Sequence, residues 1–226
     1  MKGGSARLFS APDELPATSA GASEADAGRK NITVFVSGGG SNLQAIMDGI
    51  ASGAIPDARI GLVLSNNPGA FALERASKAG IRTAVINEDT SPEETERVRE
   101  SLRLLKAAET DLIVLAGYMR ILPPEIVRAY KGRIINIHPS LIPRHCGKGY
   151  YGSRVHRSVL AAGDAESGAT VHFVDEGIDT GGIILQERVP VLPGDTEDTL
   201  AARVLEAEHR IIVKATALTL VSRANL

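Results

Sequence analysis

The sequence predicts a single α/β domain with a mostly parallel, twisted sheet and helices on both faces, a Rossmann-like arrangement. Short aliphatic and β-branched runs alternate with longer segments of helical period, which is typical of a sheet covered by helices on both sides. The chain has 226 residues, of which 43% are hydrophobic, enough for one domain of moderate size. Acidic and basic residues nearly balance, at a formal net charge of −2.

The predicted elements follow in chain order. The strand pattern occurs at Ile32–Ser37, Arg59–Ser65, Arg82–Ile86, Asp111–Ala116, Arg133–His138, Ala169–Val174 and Ile183–Val191. The helical pattern occurs at Asn42–Ser52, Gly69–Ala79, Pro92–Ala108, Pro123–Tyr130, Ser153–Gly163 and Thr196–Val221. For the helix at 92–108, Ser91 is expected to be the N-cap, with Pro92 in the first turn and Glu94 completing a capping box.

The first thirty residues differ in composition from the rest. They are rich in Ala, Gly, Ser and Pro, so we expect a disordered leader at 1–30 and a folded domain at 31–226. The leader lacks a secretory apolar block, and its acidic residues argue against an organellar transit peptide. No apolar run approaches the roughly 20 residues that a membrane span needs.

Composition also limits the partners and the compartment. The near-neutral charge leaves no basic excess for gripping a nucleic-acid backbone. Cys146 is the single cysteine and the histidines are scattered without zinc-site spacing, so neither a disulfide nor a metal site is expected. We therefore predict a cytoplasmic protein with small-molecule substrates, no metal, and no nucleic-acid or membrane partner. Monomer and homodimer both stay open.

In open α/β sheets ligands bind at the carboxyl ends of the strands, and the first such loop is rich in glycine. It reads Gly38-Gly39-Gly40-Ser41-Asn42 before an amphipathic segment. Glycines allow a close backbone approach, and a helix N-terminus attracts anions, so Gly40, Ser41 and Asn42 are candidates to hold a phosphate. Neither a P-loop nor a complete dinucleotide motif is present. A plain tight turn is the alternative.

The fifth predicted strand ends on an amide and an imidazole. Asn136 and His138 are two residues apart and therefore point to the same face of the sheet. This pair could polarise a carbonyl, stabilise an oxyanion and protonate a leaving amine. The alternative is a histidine that is merely hydrogen-bonded at a strand end.

An acidic, glycine-bearing loop follows the sixth predicted strand, from Asp175 to Gly182. Such a loop could bring a carboxylate to the imidazole, fix its tautomer and favour its charged form. Asp179 is the best candidate in this loop. A solvated acidic turn is the alternative.

Large apolar groups follow the fourth predicted strand, where polar turn residues are more usual. Met119, Arg120, Ile121 and Leu122 could form a slot for a flat heteroaromatic ligand. Core packing is the alternative.

Taken together, these four loops resemble one family. The segments Gly40–Asn42, Ala116–Leu122, Asn136–Pro143 and His172–Gly182 occur in the order found in phosphoribosylglycinamide formyltransferases, folate-dependent enzymes of purine synthesis. The resemblance covers residues 31–212. It implies the Rossmann-like formyltransferase fold and transfer of a formyl group from 10-formyltetrahydrofolate, the co-substrate, to glycinamide ribonucleotide.

The resemblance also implies roles for individual residues. Asn136 would stabilise the oxyanion, His138 would act as the acid, and Asp179 would orient His138 and keep it cationic. Residues implied to bind the phosphate and the ribonucleotide are Gly40, Ser41, Asn42, Leu205, Glu206, Ala207 and Glu208. Residues implied to bind the folate are Met119, Arg120, Ile121, Leu122, Asn136, Asp175, Glu176, Gly177, Ile178 and Asp179.

Two departures from the family pattern stand out. The segment 144–156 after the histidine strand is longer than in many members, and it contains Cys146, which we interpret as a small buried or lining residue rather than a nucleophile. Some members contact folate through an arginine near the start of the third helix, but this chain has Ser91-Pro92-Glu93-Glu94 there.

Three other functions fit the sequence less well. A 10-formyltetrahydrofolate hydrolase is the nearest alternative, but such enzymes carry an N-terminal regulatory domain that the leader is too short and too polar to form. Methionyl-tRNA formyltransferases add a C-terminal RNA-binding domain, which is not expected here. A binding-only module would not need Asn136, His138 and Asp179 together.

Overall fold

The computed structural model describes residues 28–224. Residues 1–27, which make up nearly all of the predicted leader, lie outside this range, so the predicted division at residue 30 stays a prediction. The elements are β1 (Lys30–Val36), α1 (Ser41–Ala51), β2 (Ala58–Ser65), α2 (Phe71–Lys78), β3 (Thr83–Val85), α3 (Glu94–Ala107), β4 (Leu112–Leu115), α4 (Pro124–Ala129), β5 (Ile134–His138), α5 (Ser153–Ala162), β6 (Glu166–Phe173), β7 (Ile183–Pro190) and α6 (Glu197–Ala224). Among the helices of this range, none has the length and apolarity to cross a bilayer.

The strands form one sheet in the order β3-β2-β1-β4-β5-β6-β7. Strands β1 to β5 pair in parallel, whereas β6 pairs antiparallel with both β5 and β7. The β6–β7 connection contains no helix, and a short connection permits only antiparallel pairing. The predicted mostly parallel α/β sheet is confirmed. Strand β2 lies on one side of β1 and β4 lies on the other, so the strand order reverses between β1 and β4. Ligands of such sheets bind in the crevice at the carboxyl ends of the strands where the order reverses.

The core has two layers, one on each face of the sheet. Successive strand residues alternate between faces, so Val34 belongs to one layer and Phe35 to the other. The first layer includes buried residues of α1, α2, α5 and α6, and the second includes buried residues of α3 and α4. The expectation of helices on both faces is therefore confirmed.

The predicted capping box at Ser91 is wrong. Helix α3 begins at Glu94, its N-cap is Glu93, and no side chain caps it. Ser91 instead belongs to the preceding turn, where its N–H donates to the Asn87 carbonyl at 3.0 Å. Its own carbonyl accepts a hydrogen bond from Arg97 at 2.8 Å. Because the backbone N–H and carbonyl of Ser91 are hydrogen-bonded within and beside this turn, the helix starts three residues after Ser91, at Glu94.

Candidate active site

A cleft of about 500 Å³ opens at the carboxyl ends of β4 and β5. Its walls come from the loops that follow β4, β5 and β6, from the segment before α5, and from Glu208 of α6. Three of the four loops singled out in the sequence thus meet around one cavity. The fourth, the glycine-rich loop after β1, joins it through Asn42, which is bonded to Glu208.

Strand β5 places Asn136 and His138 on the face that borders the cleft, as their spacing predicts. Asn136 lies opposite His172 in the antiparallel β5–β6 register, and its Nδ2 is 3.1 Å from Nε2 of that histidine. His172 Nδ1 lies 2.7 Å from the Phe173 carbonyl, which can only accept, so Nδ1 carries a proton. In the neutral ring Nε2 then accepts from Asn136, and this orients the amide. No role for His172 was predicted.

Asp179 lies between the two imidazoles, as expected of the acidic loop. Its carboxylate oxygens are 3.7 Å from His138 Nδ1 and 3.5 Å from His172 Nε2, and it accepts the Gly147 N–H at 2.8 Å. Burial disfavours the carboxylate, but the charge of His138 and the hydrogen bond from the Gly147 amide hold the pKa of Asp179 below its usual value. The structure therefore brings Asn136, His138 and Asp179 together around an ionised carboxylate.

The pKa of His138 is shifted against the expected cationic state. Burial is the main influence on the ring and lowers its pKa, against the opposing effects of a 3.0 Å hydrogen bond to the His145 carbonyl and of the Asp179 charge. The Asp179 charge therefore favours the imidazolium without outweighing burial. A neutral imidazole can take up a proton before it delivers one.

The glycine-rich loop begins α1 with an open helix N-terminus. Gly40 is the N-cap at φ +74°, and a Cβ there would lie 2.6 Å from the Ala72 Cβ, so this position needs glycine. Arg75 of α2 donates to the Gly39 carbonyl at 2.9 Å and adds a cation beside the loop. Backbone N–H groups at a helix start and a nearby guanidinium suit a phosphate. Arg75 was missed because it lies on a different helix, far along the sequence.

Glu208 is buried against the start of α1. Asn42 donates to it at 2.6 Å, but burial dominates and raises the pKa of Glu208 to about 7. Of the predicted segment 205–208, the structure brings this residue alone to the cleft: Ala207 packs in the core, and neither Leu205 nor Glu206 lines the cavity. Consecutive residues of a helix point about 100° apart, so four in a row cannot all face one ligand.

The outer part of the cleft is apolar and open, as predicted for a slot. Met119 and Ile121 are 52% and 72% exposed, and Leu122 is buried beneath them. The loop residues Asp175, Glu176, Gly177 and Ile178 form the opposite wall. Arg120 forms a two-pronged ion pair with Glu88 at 2.7 and 3.0 Å. Arg97 of α3 and Arg120 line an adjoining pocket of about 100 Å³.

Two more side chains belong to this neighbourhood. Burial raises the pKa of the half-buried Cys146 thiol, which favours the protonated form over a reactive thiolate. His156 of α5 lines the cleft, and its Nδ1 is buried with no hydrogen-bond partner. Across residues 28–224, no group of three or more His, Cys, Asp or Glu side chains is arranged to hold a metal ion. That the chemistry needs no metal stays a prediction.

The fold is that of a formyl transferase. A family model described as "Formyl transferase" matches residues 30–216, so the chain belongs to this family. Within it, the chain groups with the phosphoribosylglycinamide formyltransferases. It is 45% identical to the enzyme of that name from Escherichia coli K12 over 80% of this chain and 82% of the relative.

Solved structures agree with this placement. Glycinamide ribonucleotide transformylase 1 from Symbiobacterium toebii superposes with a TM-score of 0.81 at 41% identity, covering 87% of this chain and 90% of that one. A formyltetrahydrofolate deformylase from Pseudomonas syringae shares the fold at a TM-score of 0.76 but is 26% identical and is covered over 63% of its length. The chain also matches the trifunctional purine biosynthetic protein adenosine-3 of Drosophila melanogaster, at 48% identity over 84% of this chain, and spans 14% of that protein.

Proposed function

We propose that this protein transfers the formyl group of 10-formyltetrahydrofolate to the amine of N1-(5-phosphoribosyl)glycinamide. The products are formylglycinamide ribonucleotide and tetrahydrofolate, a step of de novo purine biosynthesis in the cytoplasm. The observation that carries the proposal is that Asn136, His138 and Asp179 line the same cleft as the apolar slot and Glu208. Glu208 is hydrogen-bonded to Asn42, which connects the cleft to the glycine-rich loop. The names of the relatives support it.

The two substrates enter from opposite sides in this proposal. The pterin lies in the slot formed by residues 119–122 and 175–179. The phosphate binds at Gly40, Ser41 and Asn42, assisted by Arg75. Glu208 receives a hydroxyl or the amine of the ribonucleotide. Arg97 and Arg120 face the acidic end of the folate, so that Arg97 serves in place of the arginine missing near residues 91–94.

The chemistry is an acyl transfer with one proton relocated. The neutral amine attacks the formyl carbon, and the oxyanion that forms accepts a hydrogen bond from the Asn136 amide, whose other N–H is held by His172. The neutral His138 imidazole takes the proton lost by the attacking nitrogen and delivers it to the folate nitrogen as the carbon–nitrogen bond breaks. The Asp179 carboxylate stabilises the transient imidazolium.

Absorbance of the folate, followed with and without the ribonucleotide in parallel, tests the proposal. Turnover only with the ribonucleotide supports the transferase. Equal turnover in both would contradict it and indicate a hydrolase, in which water replaces the amine. No turnover in either would leave a binding role, which has no need of the catalytic group.

A further inference from the structure

A short turn contacts both titratable members of the catalytic group, His138 and Asp179. We call residues 145–147 the His145 turn. The backbone carbonyl of His145 lies 3.0 Å from Nε2 of His138, and the backbone N–H of Gly147 donates to Asp179 at 2.8 Å. A carbonyl can only accept, so it fixes a proton on His138 Nε2 and leaves Nδ1 toward Asp179. The turn therefore sets both the orientation of the imidazole and the place of the carboxylate.

The His145 side chain anchors this turn to the element behind it. Its Nε2 lies 2.8 Å from Asp164, a carboxylate that follows α5, and its Nδ1 lies 2.7 Å from the Ser158 hydroxyl of α5. The carboxylate can only accept, so Nε2 carries the proton and, in the neutral ring, Nδ1 accepts from Ser158. With both ring nitrogens bonded and 12% of the side chain exposed, the imidazole is held at two points.

The backbone of the turn needs such an anchor. His145 has φ +52°, in the left-handed region that residues with a side chain rarely adopt. Asp179, which accepts the Gly147 N–H, has φ +56°, so both His145 and Asp179 have strained backbones. A conformation of this kind persists only where its surroundings hold it in place. The bonds of His145 to Asp164 and Ser158 supply that restraint.

We propose that His145, anchored by Asp164 and Ser158, is a positioning residue for His138 and Asp179. The proposal rests on the function given above. The His145 side chain does not line the cleft. It acts through its own carbonyl and the Gly147 amide, so its loss affects the rate of the chemical step rather than the binding of either substrate. The longer histidine loop of this chain thus has an orienting part, the His145 turn.

The test compares three variants with the wild type. His145→Phe keeps the ring and removes both hydrogen bonds, and His145→Gln restores a donor toward Asp164. Arg144→Ala is the matched control, because it removes the ion pair of the same Asp164 carboxylate and leaves the imidazole contact intact. We expect His145→Phe to lower kcat roughly ten- to a hundredfold with KM for both substrates within about twofold, as loss of a supporting contact does. His145→Gln should recover most of the rate, and Arg144→Ala should match the wild type.

A second readout does not depend on activity. The carbonyl of His145 raises the pKa of His138, so the His138 ring, followed by nitrogen NMR during a pH titration, should lose its proton at lower pH in His145→Phe than in the wild type. An unchanged titration together with an unchanged kcat would overturn the proposal, as would an equal loss of kcat in Arg144→Ala. If the wild type transfers no formyl group, the proposed function fails, while the titration still decides whether His145 positions His138.

Discussion

The inner half of the cleft, which holds the catalytic group and Glu208, is more buried than the outer half, which is the apolar slot. In the inner half, the side chains of His138, Asp179 and Glu208 are almost fully buried. His138 lies beside Asp179, and Glu208 accepts a hydrogen bond from Asn42. In the outer half, Met119, Ile121 and Ile178 are between 37% and 72% exposed. The catalytic groups are thus preorganised by the protein, whereas the slot becomes a closed environment only when a flat ligand covers it.

The electrostatics follow the same division. Burial is the largest influence on the pKa values of His138 and Glu208. It also strengthens the interaction of each group with neighbouring charges and dipoles, because the local dielectric is low. The outer ion pair between Arg120 and Glu88 is about half exposed on both sides, where such pairs contribute about 0–1 kcal/mol. Changes in the inner half should therefore alter rate and stability, and changes in the outer half should alter affinity modestly.

The largest effect is expected from His138→Ala. Turnover should fall by a factor on the order of 100 or more, because the loss falls on the proton transfer, with KM for both substrates little changed. Steady-state kinetics by folate absorbance measures it, and a cooperative thermal unfolding transition confirms that the variant is folded. Near-normal turnover would remove His138 from the catalytic role.

Glu208→Gln should change how the free energy of unfolding depends on pH. The pKa of Glu208 is raised from 4.5 to about 7, so between these values the folded protein holds a proton that the unfolded chain has lost. Stability contributed by this group therefore falls as pH rises through that window and stays level above it. Across the window the wild type should lose on the order of 3 kcal/mol of stability relative to the variant, in which the other titrating groups are the same.

Urea unfolding of both proteins at pH 5 and pH 8 measures this difference. The variant should also raise KM for the ribonucleotide if Glu208 receives one of its groups. Parallel pH dependence in the two proteins would show that Glu208 is already ionised or hydrated in the folded state.

Asp179→Asn should change the pH profile more than the fold. The carboxylate raises the pKa of His138, so its removal lowers that pKa further, and the limb of the profile that reports His138 deprotonation should move toward acid. The rate at a pH above that limb should fall about tenfold. Asp89→Asn, an exposed carboxylate in the turn before α3, serves as the control. A profile identical to that of the wild type would assign Asp179 a structural role alone.

The smallest effect is expected in the outer half. Arg97→Ala should raise KM for the folate by a few fold, up to about fivefold, with kcat unchanged, as suits a partly solvated contact. Arg99→Ala, on the same helix and 78% exposed at its side chain, should change neither constant. A loss of kcat in Arg97→Ala, or equal effects of the two variants, would contradict the division between the halves.

The parts of this site that sequence reasoning reached are those fixed by local geometry. Asn136 and His138 share a face because strand residues alternate, and the glycine-rich loop begins a helix because Gly40 can adopt a positive φ. His172 was missed because its role depends on the antiparallel register of β6 against β5, which no local pattern encodes. That Arg97 lines the adjoining pocket was not predicted either, because the turn at Asn87 delays the start of α3 to Glu94.

The change of strand direction at β5 has a consequence for the length of the connection that follows it. Asn136 and His172 are 36 residues apart in sequence, yet their contact is set by the pairing of β5 with β6. Strand register is independent of how much chain is inserted between the strands, and the entropy of closing a loop grows slowly with its length. The strand pairing therefore keeps Asn136 beside His172 whatever the length of the connection between them. His138 and Asp179 depend in addition on the His145 turn inside that connection, so the two sides of the reaction centre tolerate changes in the loop to different degrees.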